Sequence, residues 1–152
     1  MLKDYYTNYH YANEESLRVY LEKLYNVTLK RNKTLYKYDI SVVKNGVVTG
    51  LLELKDRSHY FGRYDTYTVS LDKIREGIVY TLYLGIPCTL VVRFSCGTIA
   101  SYRIKSEQVK SFDITYGGRN DRNDPNDLEP LVNIPLTFFK VLLPASAKNL
   151  AG

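Results

Sequence analysis

Acid and base come together at one place in this 152-residue chain: Asp39 and, after thirteen intervening residues, Glu53-Leu54-Lys55. Val47 to Lys55 reads as a strand, and side chains alternate along a strand. Glu53 and Lys55 therefore project from one face, while Leu52 and Leu54 enter the core on the other. A carboxylate and an ammonium at the end of an apolar strand are costly to place without a partner. A divalent cation with hard oxygen ligands would satisfy Asp39 and Glu53. It would also make water a usable nucleophile, with Lys55 orienting or deprotonating that water. The plain alternative is a surface ion pair of Glu53 with Lys55, worth under about 1 kcal/mol.

Whether Asp39 shares that face depends on the hairpin before the triplet. Leu35 to Val43 and Val47 to Lys55 read as two strands joined at Lys44-Asn45-Gly46. A regular ladder with a two-residue Asn45-Gly46 turn sets Asp39 opposite Leu52, on the wrong face. A three-residue turn with Gly46 at positive φ, or a bulge, brings Asp39 back to the face of Glu53, and one of the two is expected.

The surrounding elements follow from periodicity and caps. Asn13-Glu14-Glu15-Ser16 opens a first helix, with Asn13 as N-cap and Leu17, Leu21 and Leu24 as its buried stripe, ending near Tyr25-Asn26. Val27 to Arg31 is a short strand. Asp56 to Val69 reads as a polar, aromatic loop, and Ser70 caps a second helix running to about Leu84, with Ile74, Ile78 and Leu82 inward and Gly77 a weak point. Pro87 to Ser95 should be a central strand buried on both sides, followed by Thr98 to Ile104. Tyr116 to Pro130 is turn chemistry throughout and reads as a long loop. Leu131 to Leu143 resumes as a last strand and a short Pro135-capped helix. The expectation is one α/β domain over 1–152, with a mixed sheet, a core of about 13–104 and a C-terminal extension of about 105–152.

On these residues the chain resembles the PD-(D/E)XK nuclease superfamily, whose restriction-endonuclease-like core runs helix, three-strand meander, helix, strand, as residues 13–95 do. The aromatic loop, the lysine-bearing helix and the strand GIPCTLVVRF at Gly85–Phe94 are similar to small archaeal Holliday-junction resolvases. Homing and restriction endonucleases share the same fold. The resemblance implies a DNA endonuclease that hydrolyses phosphodiesters with Mg²⁺, for which Mn²⁺ would substitute. It implies that Glu14, Asp39 and Glu53 hold the metal, that the main-chain carbonyl of Leu54 adds a ligand, and that Lys55 positions the water. Glu14 is the match for the acid on the first helix because it shares a face with Leu17 and Leu21. Lys73 matches a basic residue that assists at the site. Double-stranded or branched DNA is the implied partner. A homodimer or homotetramer is implied too, since cutting two strands needs two sites, and the apolar stretch Ile134–Leu143 would suit its interface. Tyr38 stands where the family has proline. Nothing from Lys105 onward matches, so the resemblance covers about the first two-thirds.

Composition agrees with a globular DNA-facing domain. Hydrophobic residues make up 45% and charged residues 24%, which excludes disordered, collagenous and disulfide-scaffold classes. The net charge of +5 lies wholly in residues 1–109, with 16 basic and 11 acidic side chains, against five of each in 110–152. Between Leu24 and Tyr38 there are four cations and no anion: either a lysine-guarded strand edge or a phosphate-facing patch. Under the nuclease reading Lys30, Arg31 and Lys33, with Arg57, Arg63 and Lys73 near the motif, contact backbone phosphates. Tyr60, Phe61, Tyr64 and Tyr67 would pack on sugars or unstacked bases, or else form a hydrophobic flap. Tyrosine is abundant, at 15, and tryptophan absent.

Other chemistries find little support. His10 and His59 have no cysteine at ligand spacing, which argues against zinc. Cys88 lies in an apolar strand, and no glycine-rich phosphate loop occurs. Asp121, Asp124 and Asp127 lack the spacing of a calcium loop. Asp65 and Asp72 read as a loop acid and a helix-start acid. The two cysteines, Cys88 and Cys96, suit reduced thiols; the opening MLKDYYTNYH has no apolar run, no stretch approaches membrane length, and a cytoplasmic protein is expected. A non-catalytic nucleic-acid-binding or assembly protein with a nuclease-like fold is the alternative.

Overall fold

The computed structural model describes residues 2–118 and 124–145, with side chains from residue 14 onward. Its first element is longer than the sequence suggests. Helix α1 spans Leu2–Tyr25, so the cap signal at Asn13 falls inside the helix rather than at its start. Asn is only mildly unfavourable in a helix interior, Glu14 and Glu15 are good helix formers, and an upstream segment without Pro or Gly lets the helix continue. Leu17 and Leu21 are buried as expected, while Leu24 turns outward.

Strands β1 (Thr28–Arg31), β2 (Ile40–Lys44) and β3 (Val47–Asp56) form the expected meander. The second begins five residues later than its apolar pattern suggests, because residues 33–39 turn. Tyr36 N–H reaches the Lys33 carbonyl at 2.9 Å, and Asn32 brackets the turn through its own N–H to the Asp39 carbonyl (2.7 Å) and its amide to the Tyr38 carbonyl (2.8 Å). Helix α2 (Leu71–Leu84) starts at Ser70, whose Oγ accepts from Asp72 N–H at 3.2 Å. It carries the chain across to β5 (Cys88–Arg93), which pairs parallel to β3, and β6 (Ile99–Arg103) pairs antiparallel to β5. With β9 (Lys140–Leu143) at the far edge, the order is β1-β2-β3-β5-β6-β9, a mixed sheet. Helix α1 covers one face through Leu17 and Leu21 on Leu29, Ile40, Leu54 and Val91. Ile74 of α2 lies on the opposite side with Leu51, Leu90, Val92 and Tyr102.

A second sheet was not legible in the sequence. Strand β4 (Thr66–Ser70) lies inside the segment expected as a loop over 56–69. After the short helix α3 (Ser106–Val109), β7 (Asp113–Gly118) and β8 (Leu128–Pro135) occupy both ends of the segment expected as a loop over 116–130. Their order is β4-β8-β7. Val132 and Ile134 are fully buried between this sheet and the main core, as is most of Phe139. The stretch Ile134–Leu143, expected to suit an interface between subunits, thus spends much of its apolar surface closing the fold of its own chain. Pro135 does precede a short helical turn, of 3₁₀ type, at Leu136–Phe138. Asp124 caps the 3₁₀ turn Pro125–Asp127; Asp121 lies outside the described residues.

The hairpin uses the bulge rather than the longer turn. Asn45 (φ 52°) and Gly46 (φ 76°) form a two-residue turn of the left-handed kind that matches strand twist, pairing Lys44 with Val47. Val43 then faces Val48 but Val42 faces Gly50, so Thr49 has no residue opposite it. Beyond the bulge Ile40 faces Leu52. Because Gly46 sits where a branched side chain is strained, Gly46→Val is expected to cost about 1–2 kcal/mol in thermal unfolding, whereas Asn45→Gly should be nearly neutral.

Candidate active site

The bulge sets the parity that the chemistry needs. With Ile40 opposite Leu52, Asp39 comes level with Glu53, and the Leu54 N–H reaches Asp39 Oδ2 at 3.4 Å. Glu53 is only 6% exposed, in the middle of the sheet between β2 and β5. Two lysines answer it from different elements. Lys73 of α2 gives 3.0 Å from Nζ to Glu53 Oε2 and is itself mostly covered, its side chain 17% exposed. Lys55 lies 3.4 Å from Oε1 and keeps 47% of its side-chain surface in solvent. Lys73 is therefore the anchor of the carboxylate, and Lys55 is the cation that meets solvent.

Burial raises the Asp39 carboxyl above its ordinary value, and the nearby charge of Glu53 raises it further, against the pull of Lys55 and Lys73. Two acids crowded in this way favour additional positive charge. Asp39 and Glu53 are the oxygen donors that could hold a hard divalent cation, which is commonly bound through one or two carboxylates and water. Among the described residues no cluster of three His, Cys, Asp or Glu side chains is present. Glu14, expected as the third acid, instead engages Arg31 Nη1 at 2.5 Å, on the α1 side of β1.

Tyr38 is a residue that sequence reasoning passed over. Its ring is fully buried, Lys73 Nζ stands 5.0 Å from the ring centre, and its hydroxyl donates to the Lys73 carbonyl at 2.9 Å. Burial holds its phenol well above the ordinary value, so it remains neutral. The only sequence signal was its occurrence in place of a proline immediately before the acid. Gly77 makes room for it on α2: a Cβ there would meet Tyr38 Oη at 2.5 Å.

The remaining candidates distribute around this center. Lys30 and Lys33 are exposed at and just beyond edge strand β1. Arg57 donates to the Tyr67 hydroxyl at 3.0 Å, and Arg63 to that of Tyr64 at 3.4 Å. The aromatic segment divides: Tyr67 is buried and Phe61 packs on Phe94, whereas Tyr60 and Tyr64 face solvent. Asp72 pairs with Lys37 and Arg75 at the start of α2, as a helix-start acid should, and Asp65 uses its carbonyl to receive Leu136 N–H. Cys88 is buried, with its thiol pushed up to about 11 by desolvation, as expected of an inert position. No helix among the described residues is long and apolar enough to cross a membrane.

Comparison with known proteins places this geometry. A family model described as "Phage putative PDDEXK endonuclease" matches residues 2–142. The chain belongs to this PD-(D/E)XK endonuclease family. The match runs through β9, so the segment after Lys105, which seemed to lack a counterpart, is part of the family pattern. The fold is similar to that of Archaeoglobus fulgidus Hjc, a Holliday junction resolvase from an archaeal hyperthermophile, with a TM-score of 0.55 and 13% identity, covering 85% of this chain and 88% of that one. At that identity the likeness is one of fold. Curated proteins give no match. A restriction-endonuclease-like architecture and a PD-(D/E)XK nuclease family agree with the resemblance carried by the Asp39…Glu53-Leu54-Lys55 motif and the order of the elements around it.

Proposed function

We propose that this chain is a Mg²⁺-dependent DNA endonuclease that cleaves branched DNA. The observation that carries this reading is the placement of Asp39, just before β2, level with Glu53 of β3, with Lys55 half open to solvent beside Glu53. Asp39 and Glu53 would hold the metal, with the Leu54 carbonyl as a further oxygen. When bound, the ion would supply positive charge at the phosphate and lower the pKa of water. Lys73 fixes the Glu53 carboxylate and is retained in place by Tyr38. Lys55 hydrogen-bonds and orients the attacking water. The water oxygen bonds to phosphorus, one P–O ester bond breaks, the departing oxygen takes a proton from solvent to leave as a hydroxyl, and both protons of the attacking water pass to solvent, a net release of one. Exposed Lys30 and Lys33 hold flanking phosphates. Cutting both strands of a branch calls for two such sites, supplied by a homodimer or homotetramer.

Support for a branched substrate comes from the likeness of fold to a junction resolvase. Incubation with a four-way junction and with random duplex separates the readings. The junction should be cut in Mg²⁺ or Mn²⁺, random duplex should survive, and EDTA should abolish cleavage. Cutting of duplex at one sequence would place the chain with homing or restriction enzymes. Binding without cleavage in either metal would make it a non-catalytic nucleic-acid-binding protein.

A further inference from the structure

Arg57 lies two residues beyond Lys55, and its N–H continues the β3–β5 pairing by donating to the Arg93 carbonyl at 2.9 Å. Alternation therefore keeps its side chain on the face of Glu53 and Lys55. Arg18, Arg31, Arg75 and Arg93 each meet a carboxylate. Arg57 does not: among the described residues its side chain is held by Tyr67, through Nη2 to Oη at 3.0 Å, with the guanidinium carbon 5.1 Å from the ring center. Tyr67 is in turn fixed. It is 5% exposed, sits opposite Ile134 in the second sheet, and packs edge-on against Phe139 at 5.7 Å.

Two further observations place this pair in the field of the site. The charges of Lys55 and Glu53 both act on the Tyr67 phenol, and burial, the larger effect, raises that phenol so that it stays neutral. His59 is driven below its ordinary value by burial and by the cations Arg57 and Arg63. Arg57 is thus an ordered guanidinium that pairs with no carboxylate among the described residues, on the strand face that carries Glu53 and Lys55. A planar fork of N–H donors with this disposition suits two oxygens of one phosphate.

We propose that Tyr67 is a positioning residue that holds Arg57 ready to clamp the non-bridging oxygens of the scissile phosphate, where negative charge grows in the transition state. The inference rests on the nuclease reading above. Arg57 donates hydrogen bonds only, so the bonds made and broken and the proton balance of the hydrolysis are unchanged.

The test compares wild type, Tyr67→Phe, Arg57→Gln, Arg57→Lys and the Tyr67→Phe/Arg57→Gln double variant on a four-way junction, measuring single-turnover cleavage in Mg²⁺ and affinity in Ca²⁺. Arg57→Gln should slow cleavage about 100-fold with affinity within about threefold. Tyr67→Phe, which retains the buried ring, should slow it about 10-fold with little change in Tm. The double variant should be no slower than Arg57→Gln alone, because a clamp already lost cannot be mispositioned. Arg57→Lys should recover little, since an ammonium lacks the fork. An active wild type with a Tyr67→Phe variant of equal rate, or with full additivity in the double variant, overturns this proposal alone. A wild type that cuts no DNA overturns the nuclease reading and this clamp with it.

Discussion

Glu53→Gln is expected to lower Mg²⁺-dependent cleavage by about 10³-fold or more, and Lys55→Ala by about 100-fold, both with DNA affinity within about threefold of wild type. The two variants differ in what else they disturb. Glu53 is nearly buried and carries the partner charge of Lys73, so neutralising it leaves a covered ammonium unanswered and should also cost stability, by roughly 3–5 kcal/mol. Lys55 is half in solvent at 3.4 Å from its partner, and its removal should change stability by under about 1 kcal/mol. Lys55→Ala is therefore the cleaner experiment: single-turnover rates beside a thermal melt will separate chemistry from folding. Cleavage by Lys55→Ala at the wild-type rate would remove Lys55 from the proposed site.

Gly77→Val should be among the most destabilising changes that touch no charge, at about 3 kcal/mol and a Tm lower by about 6–12 °C. Helix propensity alone favours almost any residue over glycine in the middle of α2. Space decides otherwise, because a Cβ at position 77 would stand 2.5 Å from Tyr38 Oη and 2.6 Å from Ile104 Cδ1, both in the core. Displacing Tyr38 also disturbs the seat of Lys73, so cleavage measured well below Tm should fall as well. Gly77→Ala should act in the same direction more weakly. Adding Tyr38→Phe should then cost less than it does alone, since it removes the nearest obstructing atom. Full additivity in a melt would show that Tyr38 and position 77 do not meet.

What could be read from the sequence follows from how local its causes are. The helix start at Ser70 was legible because the cap bonds to a residue two positions away. The buried central strand at β5 was legible because its apolar run is continuous. The hairpin's parity was legible as a choice between a longer turn and a bulge, and the bulge was found. By contrast, β4 and β8 pair residues more than sixty positions apart, such as Tyr67 with Ile134, and nothing near either strand announces its partner. Turn-forming residues from Asp124 to Pro130 masked the start of β8. The site divides in the same way. Asp39, Glu53 and Lys55 stand out by type and spacing. The supports that hold them, Tyr38 beneath Lys73 and Tyr67 behind Arg57, read only as members of a tyrosine-rich composition until the fold brings them together. Glu14 shares the face of Leu17 and Leu21 as expected, yet a neighbouring strand supplies Arg31 to it, a pairing that helical periodicity could not foresee.

Thr49 gives the hairpin a tolerance of its own. Residues directly opposite in a regular hairpin with a two-residue turn are separated by an even number of positions, and the thirteen between Asp39 and Glu53 are odd. Thr49 absorbs the difference. The spacer is therefore not a fixed ruler: a relative that lacked this one residue would have a regular ladder and the same two carboxylates side by side, while a single insertion elsewhere would need a second bulge to undo it. A search pattern that fixes the spacer length would separate such relatives, although their chemistry would be superimposable. Counting spacer parity together with bulges is the more faithful description of this motif.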